Sequence, residues 1–250
     1  MSQASPVAES VARADGRLPH HLRPIRFRND IAPYATGSTL VEWGNTRVIC
    51  GVTVEETVPR WMKEQNVTGG WITAEYSMLP YSTLQRKARD STKGRIDGRS
   101  QEIQRLIGRA MRAALDLDKL GARTIWVDCD VLQADGGTRT AAITGSFVAL
   151  SLAVKKLMAE GKLKESPILH GVAAVSVGLV ANQVLLDLCY TEDAAAAVDL
   201  NLVMDDEENF VEVQGTGEES TFSQTQLNEM LEMGKDGIRQ LLSAQEKALA

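Results

Sequence analysis

Residues Thr124 to Ala159 read TIWVDCDVLQADGGTRTAAITGSFVALSLAVKKLMA, and the rest of the chain is organised around them. Thr124 to Val131 read as a strand, and Ala141 to Met158 are apolar nearly all round, as in a helix buried on every side. Between them lie Gly136-Gly137 and Thr138-Arg139-Thr140. Two glycines let the backbone turn tightly and approach a ligand with no Cβ in the way. The free N–H groups of the helix and the positive end of its dipole then face the turn and favour an anion. Thr138 adds a hydroxyl, and Arg139 adds a guanidinium fork that matches phosphate oxygens. The stretch reads as a phosphate cradle on a rigid mount. The plainer alternative is an ordinary strand, turn and helix, with Thr as N-cap and Arg139 on the surface.

Upstream, Arg99 opens a helix whose Ile103, Leu106, Ile107, Ala110, Met111, Ala114 and Leu115 repeat at i, i+3, i+4, i+7, and Gly121 ends that segment. Leu79 to Gly98 carries no apolar stripe and reads as a long cationic loop, a size usually reserved for function. Between Tyr81 and Arg112 nine bases stand against three acids, whereas from Ala181 onward three bases stand against fifteen acids. The formal charge of −6 therefore hides a basic lobe suited to a polyanion and an acidic lobe suited to metal or subunit pairing.

Earlier still, Ile25–Phe27, Ser38–Trp43, Thr46–Val54 and Trp71–Met78 read as strands, with Gly44-Asn45 turning a hairpin and residues 58–70 forming a loop. Residues 1–14 are expected to be a disordered tail and 15–250 one folded domain. Downstream, Val172–Val180 and Val184–Tyr190 make a strand pair, and Leu200–Met204 pairs with Phe210–Gln214 across an acidic turn. Ser223 with Gln226 is a capping box for the last helix. Strands, helices, strands and a helix in this order suggest an α+β protein of two β-α halves.

At 250 residues, 44% hydrophobic and 24% charged, the chain has the make-up of a globular protein with a sizeable core. No apolar run flanked by charges reaches the roughly 20 residues of a membrane span, and no apolar signal core opens the chain. A cytoplasmic protein with no membrane partner is expected. Cys50, Cys129 and Cys189 are scattered in apolar runs, as buried free thiols would be, and His20, His21 and His170 lie in no triad-like context. Neither GxxxxGK[ST] nor a strand-linked GxGxxG occurs.

Paired carboxylates remain for chemistry. Asp187 and Asp193 are candidates to hold a divalent cation or to protonate a leaving group; the alternative is that both only form turns. A phosphate cradle, a second arginine at a helix entrance (Arg99), a cationic loop and two aspartates fit phosphorolysis of a nucleic acid. Phosphate is already partly deprotonated at neutral pH, so no histidine base is required.

The motifs Gly69–Pro80 (GGWITAEYSMLP), Glu102–Arg109 (EIQRLIGR), Gln133–Thr140 (QADGGTRT) and Glu212–Glu219 (EVQGTGEE) carry the resemblance. From Asp15 to the last helix, the chain resembles the bacterial ribonuclease PH family of phosphate-dependent 3′→5′ exoribonucleases that trim tRNA precursors. The resemblance implies a ribosomal-protein-S5-domain-2-like fold, and it implies release of nucleoside diphosphates in a reversible reaction. It implies a phosphate site at Arg99, Gly137, Thr138 and Arg139, and catalytic, metal-holding aspartates at Asp187 and Asp193, with Mg2+ or Mn2+. RNA contacts are implied at Arg86 and Arg89, and assembly into a homohexamer of three dimers. A third basic position of some members is Tyr81 here, which implies weaker RNA contact at that point. An inactive RNA-binding ring subunit would have lost the cradle arginine or the aspartates, and a water-using nuclease would leave Arg99 and Arg139 without a role.

Overall fold

In the computed structural model, which describes residues 13–218 and 220–250, strands β1 (Ile25–Asn29), β2 (Gly37–Trp43) and β3 (Thr46–Glu55) form an antiparallel meander. Helix α1 (Arg60–Glu64) interrupts the expected loop before β4 (Trp71–Met78). Helices α2 (Asp90–Lys93), α3 (Gly98–Ala113) and α4 (Leu117–Leu120) then lead to β5 (Thr124–Gln133). β5 inserts between β3 and β4, giving the order β1-β2-β3-β5-β4, with only the β4–β5 pair parallel. Alternation decides the faces: Ile125, Val127, Cys129 and Val131 of β5 are buried, while Asp128 and Asp130 look outward. Cys50 and Cys129 face each other across the β3–β5 ladder as free thiols, with Sγ atoms 3.8 Å apart.

The apolar stretch after Gly137 forms α5 (Thr138–Ala159), which packs on β2 and β3 with one side. Its other side meets the second half of the chain. By length and composition α5 could cross a bilayer, yet 78% of its most apolar window is buried within the protein. Gly145 lets it approach: a Cβ there would lie 2.3 Å from Val41 Cγ2 and 2.8 Å from Cys50 Sγ.

The second half consists of β6 (Val172–Val180), β7 (Gln183–Leu186), α6 (Tyr190–Asp193), β8 (Val198–Asp205), β9 (Phe210–Gly217) and α7 (Gln224–Leu249). Its antiparallel sheet runs β7-β6-β8-β9. Residues of β6 are buried on both faces, which explains the uninterrupted apolar run from Val172 to Val180. Both α5 and α7 lie against this sheet, so the helices form a layer between the two sheets. The Ser223 hydroxyl accepts from the Gln226 N–H and starts α7 as the sequence suggests.

Three local expectations need correction. The last strand of the β6–β7 hairpin stops at Leu186 instead of Tyr190, because Asp187 takes a left-handed φ of 55° and turns the chain. The cationic segment 79–98 holds the short helix α2, and its backbone is tied down by Ser82 N–H to Leu79 O and Ala134 N–H to Ser82 O. Of the expected tail, residues 1–12 lie outside the described residues, but Arg13 is buried and belongs to the folded protein.

Candidate active site

The two halves meet at a polar cavity of about 580 Å³ lined by Arg99, Arg139, Asp193, Asp199, Gln214 and Thr216, among others. Each side chain arrives on a different mount. Arg99 stands in the first turn of α3 and Arg139 in the first turn of α5. Asp193 ends the single turn of α6, and Asp199 stands near the start of β8. Gln214 and Thr216 follow from the β8–β9 register, which sets Thr216 opposite Asp199 and Gln214 opposite Asn201. Residues two apart share a face, so these four polar groups form one patch.

A hydrogen-bonded frame fixes Arg139. Its Nη1 donates to Gln214 Oε1 and, at 3.3 Å, to Glu102 Oε1, while Gln214 Nε2 donates to the same Glu102 oxygen at 2.7 Å. The carboxylates opposite are under electrostatic stress. Burial pushes the Asp193 carboxyl up, and the positive fields of Arg99 and Arg139 only partly offset this. Asp199 is pushed up to about 6, by burial first and by the neighbouring negative Asp193 second; an N–H of Asn201 Nδ2, 3.2 Å from Oδ2, and the arginines pull the other way. Two cationic forks and two carboxylates pushed up by burial therefore line one space large enough for phosphate and a nucleotide end.

Residues 21–156 match the model of the 3′ exoribonuclease family, domain 1, and residues 170–237 match that of domain 2. The chain belongs to the 3′ exoribonuclease family. Among its curated relatives is Ribonuclease PH of Exiguobacterium sibiricum, 55% identical over 237 residues that cover 95% of this chain and 94% of the relative. Ribonuclease PH of Bacillus subtilis is 53% identical over 238 residues, covering 95% and 96%. The fold is shared with rice Rrp46 (TM-score 0.76, 22% identity, 95% of this chain and 100% of that one). It is also shared with a chain of the Archaeoglobus fulgidus exosome solved with RNA bound to the active site (TM-score 0.78, 24% identity, 92% and 91%). The two family models divide the chain as its sheets do, since the first sheet lies within 21–156 and the second within 170–237.

In this exoribonuclease the cavity gathers Arg99, Arg139 and Asp193 of the residues expected from sequence. Gly137 and Thr138 stand behind its wall. Gly137 caps α5 in the left-handed conformation (φ 64°), so Thr138 is the first helical residue and not the N-cap. The Thr138 hydroxyl accepts from the Tyr76 hydroxyl at 2.8 Å in the interior. Gly136 must lack a side chain, because a Cβ there would lie 2.5 Å from Leu188 O. That close approach sets the segment leading into α6 against the start of α5.

Asp187, expected beside Asp193 as a catalytic and metal-holding carboxylate, is placed elsewhere. It is 1% exposed and takes a 2.6 Å bond from the Arg23 N–H and another from Arg23 Nη2. Trp43 Nε1 donates to it at 2.9 Å, and Arg17 Nη1 approaches to 3.4 Å. Its oxygens are consumed inside the protein, and the second carboxylate of the cavity is Asp199. Sequence reasoning passed over Asp199, although a signal existed: Asp199 and Asn201 are polar at a spacing of two within the otherwise apolar run Val198–Met204. Arg86 and Arg89 are exposed on the 79–98 segment and do not line the cavity.

Proposed function

We propose that this exoribonuclease removes 3′ nucleotides from tRNA precursors by phosphorolysis, in the cytoplasm, as a homohexameric ring of three dimers. The observation that carries the reading is that Arg99, Arg139, Asp193 and Asp199 line one cavity. A hydrolase needs no second anion site, whereas a phosphorolase must bring inorganic phosphate against a phosphodiester. Arg99 and Arg139 offset that repulsion, and the frame of Glu102 and Gln214 keeps the Arg139 fork aimed before substrate arrives. Phosphate oxygen attacks the terminal phosphorus and the 3′ oxygen of the penultimate nucleotide leaves. The net reaction moves the proton of hydrogen phosphate to that oxygen and frees a nucleoside diphosphate. No side-chain base is consumed, and in reverse the same groups extend RNA.

Asp193 and Asp199 suit Mg2+ or Mn2+. They would hold the ion, and its charge would relieve the mutual repulsion that contributes to the raised Asp199. Among the described residues no group of three or more His, Cys, Asp or Glu side chains could hold a metal, and magnesium accepts one or two carboxylates completed by water and phosphate oxygens. When bound, such an ion supplies charge stabilisation of the leaving oxygen. Arg86 and Arg89, exposed on a segment with strong basic excess, are suited to guiding the RNA backbone inward. Relatives named Ribonuclease PH over nearly the whole chain support the activity, and ring assembly accords with the exosome chains that share the fold.

The test is a product assay on tRNA carrying extra 3′ nucleotides, with magnesium, with and without phosphate. Nucleoside diphosphates that require phosphate are expected, and Arg139→Ala should raise the phosphate requirement about 10- to 100-fold. Nucleoside monophosphates formed without phosphate would overturn the mechanism. Bound tRNA with no product would make the chain an RNA-binding subunit only.

A further inference from the structure

Behind the wall that carries Asp193 lies a second set of buried charges that phosphorolysis itself does not use. Residues 13–23 run alongside Leu186–Glu192 as a strap. Arg13 is the innermost: its side chain is fully buried, and the Glu192 side chain is 10% exposed. The guanidinium grips Glu192 with both prongs, Nε to Oε1 at 2.8 Å and Nη2 to Oε2 at 2.8 Å. Its remaining N–H groups reach the carbonyls of Leu186 and Asp187 at 2.9 Å each. Pro19 O accepts from the Leu186 N–H at 2.8 Å, and Arg23 closes the strap on Asp187. Arg13 and Arg17 precede residue 21, where the family match begins.

Glu192 is the immediate neighbour of Asp193. Its Oε2 also accepts from the Cys189 N–H at 3.0 Å, so one carboxylate both caps α6 and receives Arg13. A helix of one turn has no stability of its own and takes its position from such contacts. We propose that Arg13 and Glu192 are a positioning pair: by pinning the inner face of α6 they set where the Asp193 carboxylate stands in the cavity. The inference rests on the phosphorolytic reading of that cavity. Arg99 and Arg139 are mounted on α3 and α5, to which the hydrogen bonds of Arg13 and Glu192 do not run, so the pair acts on the carboxylate side of the site.

The experiment compares full-length wild type with Arg13→Ala, Glu192→Gln and the double variant. It measures kcat, phosphate KM, Mn2+ dependence and thermal midpoint, well below every midpoint. Misplacing a reacting group by about 1 Å costs on the order of 100-fold, so Arg13→Ala should lower kcat about 10- to 100-fold. The Mn2+ requirement should rise about tenfold, while phosphate KM stays within about twofold. The double variant should lose no more kcat than the worse single one, because both break one device. Arg13→Lys, which keeps the charge but not the fork, should recover only part of kcat. Glu192→Gln keeps the shape and covers the case in which Arg13→Ala does not fold. An unchanged kcat with a lower midpoint in either variant would reduce the pair to a stabilising contact and overturn the proposal. A phosphate KM that rises in step with falling kcat would do the same, since it signals general loosening. Wild type is assayed first: if it makes no phosphate-dependent product the functional reading fails, whereas an active wild type with equally active variants sinks only the strap.

Discussion

Asp187 and Asp193 stand six positions apart on either side of one turn, and the fold uses the same side chain in opposite ways. Asp187 is enclosed with Arg23, Arg17 and Trp43 donating to it, so its charge is fully answered inside the protein. Asp193 shares a cavity with Asp199, and burial leaves both carboxyls harder to ionise than in water. An answered charge supports the fold and has nothing left for a ligand. A strained charge costs stability and is available for chemistry.

The comparison breaks most sharply at Asp187. Replacing it with alanine leaves Arg23 and Arg17 facing each other without their carboxylate, and should cost about 3–5 kcal/mol in urea unfolding. A loss of activity with normal stability would return Asp187 to the catalytic set. Asp193→Asn is the mirror case: turnover should fall about 100- to 1000-fold while tRNA binding stays near wild type and the unfolding midpoint does not fall. Lost tRNA binding would show that Asp193 acts as a structural group.

Asp199→Asn sharpens the contrast, because it should stabilise the cation-free protein while abolishing turnover. The folded Asp199 titrates near 6 and a free Asp near 3.9, so the folded state binds the extra proton between those values and loses stability as pH rises through them. The gain from Asn should therefore reach at most about 3 kcal/mol above pH 7 and vanish below about pH 4. A gain that does not depend on pH would mean that the carboxylate is not strained. The smallest effect is expected far from both aspartates: neutralising Arg86 and Arg89 together should weaken tRNA binding and shrink its salt slope by about 1–2. An unchanged slope would remove that segment from the RNA path.

Much of the architecture was legible because it depends on local periodicity. Alternation marked β3 and β5, a continuous apolar run marked β6, and the all-round apolar run from Ala141 marked α5 as a buried helix. Ser223 and Gln226 announced the start of α7. Arg99, Arg139 and Asp193, singled out from sequence, line one cavity; Arg99 and Arg139 stand at helix starts, while Asp193 ends the short α6 and not a strand. Three things were not legible. The depth of Arg13 was hidden because its partner Glu192 lies far along the chain. The hydroxyl of Thr138 was assigned to the ligand side, but Tyr76 from another strand holds it inside. Asp187 looked like a ligand because nothing local shows Trp43 and Arg23 closing over it.

By itself, then, the sequence determined the elements, the two-sheet plan and the chemical class of the site. Each depends on side-chain alternation, helical period and motifs that a few neighbouring residues define. Only the tertiary structure decided which aspartates share the cavity. Pairing Asp193 with Asp199 and burying Asp187 depend on a left-handed turn at residue 187, the β8–β9 register and an arginine strap from the start of the described chain. Burial and long-range partners settle the fate of a charge, and these exist only once the two halves have packed.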